Sequence, residues 1–206
     1  MRPFATKDFV AICSFLPEGI RGQYRVEYFS VTDAQARFSC TLGHGYVEPG
    51  TYTRLCFSMQ TLMSDTPDEK RTNLEIMRIA RGNVLIAGLG IGMILWPMLD
   101  FVDVTSVDVV ERSEDVIQLV TPHILQHPNA HKLRVIHGNI FDVVEDKKHH
   151  ECWHKYDIIY FDIWEGWNED FYEELQALRR RCRWMRSTEC VVLGWNERRM
   201  KASVIP

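Results

Sequence analysis

The chain has 206 residues, 46% of them apolar and 25% charged, with a net charge of −4. That is ordinary globular composition with enough chain for a core of its own, and it excludes a disordered or fibrous protein. It gives no support to a mainly electrostatic nucleic-acid binder, and no apolar run approaches the roughly 18 residues needed to cross a bilayer, so neither nucleic acid nor membrane is an expected partner.

At the N-terminus Lys7, Asp8 and Pro17 interrupt the apolar residues too closely for a secretory h-region. Residues 24–57 are rich in Tyr, Val, Phe and Thr, with turn-like breaks at 32–33 (Thr-Asp), 43–45 (Gly-His-Gly) and 48–50 (Glu-Pro-Gly). They predict two or three antiparallel strands. From residue 64 the pattern changes to strand–helix alternation, which places a boundary between a β-rich region (1–63) and a second domain (64–206). A helix opens with Thr66 as N-cap, Pro67 at its first position and Glu69 closing a capping box, and it stops at Gly82. Strands follow at 83–87, 104–110, 133–138, 156–162 and 190–195, with helices to about Leu99, near 113–126 and from Glu169. Apolar strands separated by helices predict an α/β fold: a doubly wound, Rossmann-like, mostly parallel sheet of about five strands, behind a small N-terminal antiparallel β region. The six cysteines (13, 40, 56, 152, 182, 190) lie far apart without a C-x-x-C. They indicate neither a disulfide framework nor a zinc site, no metal is expected, and a reducing cytoplasm is the expected setting.

The stretch VLIAGLGIGMIL (84–95) runs an apolar strand into Gly88, Gly90 and Gly92. Glycine inside regular structure costs about 0.5–1 kcal/mol against alanine, so three in five residues need a special backbone path or a closely approaching ligand. In a doubly wound sheet the ligand sits at the carboxyl ends of the strands, where this loop lies. Glu111 ends the next strand, 23 residues after Gly88. A carboxylate there can accept from both ribose hydroxyls of a nucleoside; the alternative is a solvated residue at the start of the next helix. Asp162 closes the fourth strand, YDIIYFD, and Glu165 follows three residues later. Both suit acceptance of a proton from a nucleophile, and both also suit a turn.

The run VLIAGLGIGMILWPMLDFVDVTSVDVVERSEDVIQLV, then LRVIHGNIFDVV and KYDIIYFDIWEG, resembles the core of class I S-adenosylmethionine (SAM)-dependent methyltransferases. The likeness is to the spermidine-synthase-like branch and covers about residues 83–180. It implies that Gly88, Leu89, Gly90 and Gly92 line the methionine and ribose part of SAM, or of decarboxylated SAM. It further implies that Glu111 holds the ribose hydroxyls, that Arg112 lies beside the adenine and that Ile140 lies along the ring. Asn139 stands where the family usually has Asp; its amide oxygen can still accept from the adenine amino group. Asp162 would border the cofactor and take the proton from an attacking amine, and Glu165 would help hold that amine. The G-x-G-x-G spacing lacks the G-x-G-x-x-G of a dinucleotide-binding dehydrogenase. Other family signatures are absent: SMQTLMSDTPDE replaces the aminopropyltransferase glycine–glutamine motif, KRTNLE replaces its Tyr-His pair, and DIWEGW lacks the prolines of exocyclic-amine nucleic-acid methyltransferases.

Three functions remain open: methyl transfer from SAM to a small molecule or exposed amine, aminopropyl transfer from decarboxylated SAM, and SAM or nucleoside binding without transfer. A small-molecule substrate, an amine among the candidates, is the expected partner, with a homodimer through the N-terminal β region. An acid near the methionine tail would favour the decarboxylated cofactor, and Asp65 and Asp68 are the candidates. Three further features stay open. HHECWH (149–154) is a solvated loop or a metal-binding cluster of His149, His150, Cys152 and His154. The run RRRCRWMR (179–186), with Arg198, Arg199 and Lys201, suits a helix C-terminus or a phosphate-bearing substrate. Trp164, Trp167 and Trp195 fall at or after strand ends, as pocket walls or core rim.

Overall fold

The computed structural model describes residues 1–41, 47–166 and 168–204. Two short 3-10 turns precede an antiparallel sheet of four strands in the order β1 (Gly19–Arg21), β2 (Tyr24–Val31), β3 (Gly50–Phe57), β4 (Gln60–Ser64). Helix α1 (Asp33–Thr41) starts where Thr32-Asp33 had suggested a turn. The reason is a capping box one residue earlier: Gln35 N donates to Thr32 Oγ1 at 3.3 Å, and Thr32 N donates to Gln35 Oε1 at 2.8 Å. The Gly-His-Gly stretch at 43–45 lies outside the described residues.

The helix expected after Thr66 is two helices, α2 (Pro67–Thr72) and α3 (Leu74–Ile79). Asn73, only 1% exposed, interrupts them. Its amide donates to the Glu69 carbonyl at 3.0 Å and accepts from the Tyr160 hydroxyl at 2.9 Å. Asn bonds readily to nearby backbone and so competes with helix continuation. Pro67 takes the first helical position as expected, but Thr66 makes no side-chain cap bond. Glu69 turns instead to Ser64, accepting from its N at 3.4 Å and its Oγ at 3.3 Å. Asp65 is a fastener: its Oδ1 accepts from Thr53 N at 2.6 Å and its Oδ2 from Ile12 N at 3.5 Å.

Beyond this come β5 (Gly82–Ala87), α4 (Leu95–Leu99), β6 (Val104–Glu111), α5 (Glu114–Ile124), β7 (Leu133–His137), α6 (Ile140–Val143), β8 (Tyr156–Phe161), α7 (Glu169–Arg181), β9 (Arg186–Gly194) and α8 (Glu197–Val204). The five strands are parallel in the order β7-β6-β5-β8-β9. Val84–Ala87 are fully buried, because helices and the N-terminal region cover both faces. One face packs on α4, α5 and the N-terminal residues Phe4, Ile12, Leu16, Val26 and Leu55 in one continuous core; the other packs on α6, α7 and Met200 of α8. Helix α5 turns Val116, Val120 and Ile124 inward at four-residue spacing, and Ser113 Oγ caps it by accepting from Val116 N. A polar tie joins three strands: Arg134 and the Tyr156 hydroxyl both donate to the buried Asp108 carboxylate. Among the described residues no helix is long and apolar enough to cross a membrane. The strand order reverses between β5 and β8, and this opens a crevice at their carboxyl ends.

Candidate active site

A cavity of about 440 Å³ fills that crevice. Its first wall is the loop after β5, where Gly88, Gly90 and Gly92 have φ of +100°, +53° and +74°. Residues with side chains rarely adopt these values, so the backbone path alone calls for glycine at all three positions. Each also meets a different neighbour. A Cβ on Gly88 would run into the carbonyl oxygen of Asp162, one on Gly90 into the Met63 thioether, and one on Gly92 into Ile124. Gly88, Leu89 and Gly90 line the cavity; Gly92 stands behind it, against α5.

Glu111 ends β6 in the cavity wall at 8% exposure. Its Oε2 accepts from Leu89 N at 2.9 Å and its Oε1 from Ser113 N at 2.8 Å. The carboxylate is therefore fixed in orientation, and each oxygen retains a lone pair for a further donor. That is the arrangement two adjacent hydroxyls need. Arg112 follows, with an exposed side chain. Asn139 and Ile140, after β7, also line the cavity. Asn139 Oδ1 caps α6 by accepting from Phe141 N at 3.1 Å, so one acceptor site of the amide is already used.

Asp162 follows β8 and faces the cavity with no hydrogen bond to its carboxylate among the described residues. Burial, and then the charge of Glu69, push its pKa up to about 7. Glu69 enters the same cavity from α2, and burial raises it to about 7 as well, against the lowering effect of its Ser64 bonds. Glu69 is the site residue that sequence reading assigned elsewhere. Its place three residues after Thr66 reads as a helix cap, and only the fold shows that α2 aims it at the end of β8. Asp65 and Asp68, the acids expected near the cofactor tail, are not in the lining: Asp65 holds backbone, and Asp68 pairs with Arg71.

Glu165 stands at the rim, where Gln60 Nε2 of the β3–β4 hairpin donates to its Oε2 at 2.7 Å. This bond draws the antiparallel sheet over the crevice. Trp164 and Trp195 both line the cavity, tied by their indole N–H groups to Glu174 at 2.8 Å and Thr72 at 2.9 Å. Trp167 lies outside the described residues, as do the side chains of His149 and His150. Carboxylates outnumber cations in the lining: Glu69, Glu111, Asp162, Glu165 and Glu174 against Arg112. Such a lining favours ligands that carry hydroxyl donors and positive charge over anions.

No protein-family model matches the chain, and no curated protein matches it in sequence. Solved structures do match in fold. A protein from Streptococcus mutans described as a SAM-dependent methyltransferase has a TM-score of 0.52 and 13% identity, over 90% of this chain and 46% of its own. A spermidine synthase in complex with the transition-state analogue AdoDATO has a TM-score of 0.50 and 15% identity, over 90% of this chain and 62% of its own. A third, described as a methyltransferase complexed with SAH, has a TM-score of 0.51 and 14% identity, over 70% and 39%. The chain spans less than two thirds of the length of each. The chain shares its fold with these two methyltransferases and this spermidine synthase.

Proposed function

We propose that the chain is a SAM-dependent methyltransferase that acts on the amine of a small molecule by direct transfer. The observation that carries the reading is Asp162, a carboxylate poised near neutral pH, free of hydrogen bonds among the described residues, in one cavity with the doubly fixed Glu111. Glu111 would take the ribose hydroxyls on its two remaining lone pairs. Gly88 and Gly90 would admit the methionine part, and Asn139 and Ile140 the adenine. A bound sulfonium would supply an electrophilic carbon. Asp162 would accept the proton of the attacking amine as the nitrogen–carbon bond forms and the carbon–sulfur bond breaks, leaving a thioether. Alignment of the amine between Asp162 and Glu165 would contribute much of the rate.

Glu69 favours a second reading, aminopropyl transfer from decarboxylated SAM. An acid beside Asp162, next to Gly88, suits an ammonium tail and repels a carboxylate. Calorimetry with SAM, decarboxylated SAM and methylthioadenosine, followed by product assay on an amine library, tests both. Methyl transfer requires SAM binding that Glu111→Ala weakens by about 1.5–3 kcal/mol, the range for hydrogen bonds to a charged group. Tighter binding of decarboxylated SAM, with the gap narrowed in Glu69→Gln, would select the second reading. If none of the three nucleosides binds, both readings fail.

A further inference from the structure

Strand β9 is an edge of the parallel sheet and pairs with β8 alone. Between it and α7 opens a second cavity of about 320 Å³, which shares no lining residue with the first. Four arginines line it, Arg179, Arg180, Arg183 and Arg186, together with Gln176 of α7 and Cys190 of β9.

The charges do not cancel. Arg179 is satisfied: it grips Glu197 through both terminal nitrogens, at 2.5 and 2.6 Å, and donates to the Val192 carbonyl at 2.6 Å. Arg186 meets no carboxylate among the described residues; it donates to the Arg179 carbonyl and to Cys182 Sγ, while its Nε has no partner. Gln176 Nε2 is likewise buried without a partner. Arg180 and Arg183 are exposed and make no ion pair among the described residues. Arginines in the last turn of α7 complement its dipole, which accounts for Arg180. It does not account for Arg183 and Arg186, which follow the helix, or for two buried donors left unbonded. Unpartnered buried polar groups are rare and call for a specific cause.

We propose that this cavity binds a phosphate-bearing small molecule. The exposed guanidinium groups of Arg180 and Arg183 present planar forks suited to two-pronged contact with phosphate oxygens, and Arg186 adds a third charge without a carboxylate partner among the described residues. Gln176 and Arg186, whose Nε2 and Nε are buried without partners, belong to the same lining. The volume exceeds that of one phosphate, which favours a diphosphate or a phosphorylated metabolite.

The test is calorimetry of the full chain with pyrophosphate and with inorganic phosphate, in chloride buffer, on wild type and on Arg180→Ala/Arg183→Ala. Both side chains are exposed, so the double variant should melt without ligand as wild type does. We expect pyrophosphate to bind more tightly than phosphate. The double variant should weaken it at least about tenfold, since a hydrogen bond to a charged group is worth that or more. Glu111→Ala should bind pyrophosphate as wild type does, which separates this cavity from the first. Absence of pyrophosphate binding, or binding unchanged in the double variant, overturns the proposal. So does binding of a single-stranded RNA oligonucleotide, lost in the double variant, by a wild-type chain that ignores pyrophosphate; the arginines would then form a nucleic-acid surface.

Discussion

Asp162 follows a buried strand, and Glu69 enters the same cavity from a neighbouring helix. Burial disfavours the charged form of both; the charge of Glu69 adds to that at Asp162, and those of Asp68 and Asp65 add to it at Glu69. If Asp162 accepts the substrate proton, it must be ionised, and turnover should rise with pH through about 7. Glu69→Gln removes one negative charge, which lowers the Asp162 pKa, so the rising limb should move to lower pH. Asp162→Asn should lower kcat by about 10²–10⁴-fold, the usual contribution of a positioned acid or base, and abolish the limb. Glu165→Gln should act mainly on KM, because Glu165 is held at the rim by Gln60 and would hold the amine rather than its proton. A limb that stays in place in Asp162→Asn would belong to another group. The carboxylates would then have no part in proton transfer.

At the scale of elements, the two capping signals teach where sequence is legible. Thr32-x-x-Gln35 and Thr66-x-x-Glu69 carry the same signature, yet only the first closes as a box. Gln35 makes no side-chain bond other than those to Thr32 among the described residues, whereas Glu69 has Ser64 within reach and a cavity to face. The five parallel strands were readable because burial on both faces demands unbroken apolar runs. The break at Asn73 was not, because it depends on the Tyr160 hydroxyl, 87 residues away. The glycine loop mixes the two cases. Positive φ is a local property that the three glycines announce, whereas what each one faces is set by distant residues. This separates two mutations within one motif. Gly92→Ala would press on Ile124 from a strained backbone, and should destabilise the fold by about 1–3 kcal/mol in urea melts, as overpacking does. Gly90→Ala carries the same backbone strain but would meet only the side chain of Met63, an unbranched residue at the cavity, so it should unfold later than Gly92→Ala while losing more nucleoside affinity. Equal stability of the two variants would remove the packing role of Gly92.

Across the whole molecule, the antiparallel sheet and the parallel sheet share one apolar core, and α2 lies at their seam with Glu69 bonded to Ser64 of β4. Ionising that seam therefore acts on global stability. Asp162 and Glu69 titrate at about 7 in the folded chain and in the ordinary carboxylate range when unfolded. Between those values the folded state binds more protons than the unfolded state, so stability from these groups falls as pH rises from about 4 to about 7. Glu27 works in the opposite sense. Burial pushes its pKa up, but hydrogen bonding and charge from Arg54, with Arg25, overcome that and hold it below the usual value. Its contribution is present above the unfolded pKa and is lost as pH falls through the folded one. Urea melts at several pH values should show the fall with rising pH in wild type. Glu69→Gln/Asp162→Asn should flatten it, gaining on wild type steadily up to about pH 7 and by a constant amount beyond. A cationic amine bound in the cavity should act in the same direction as the double variant, since it stabilises the ionised pair. A difference between wild type and variant that does not change with pH would mean that both acids keep ordinary pKa values in the folded chain. Asp162 would then be ionised throughout the neutral range, and the rising limb of turnover near pH 7 would have to come from the amine.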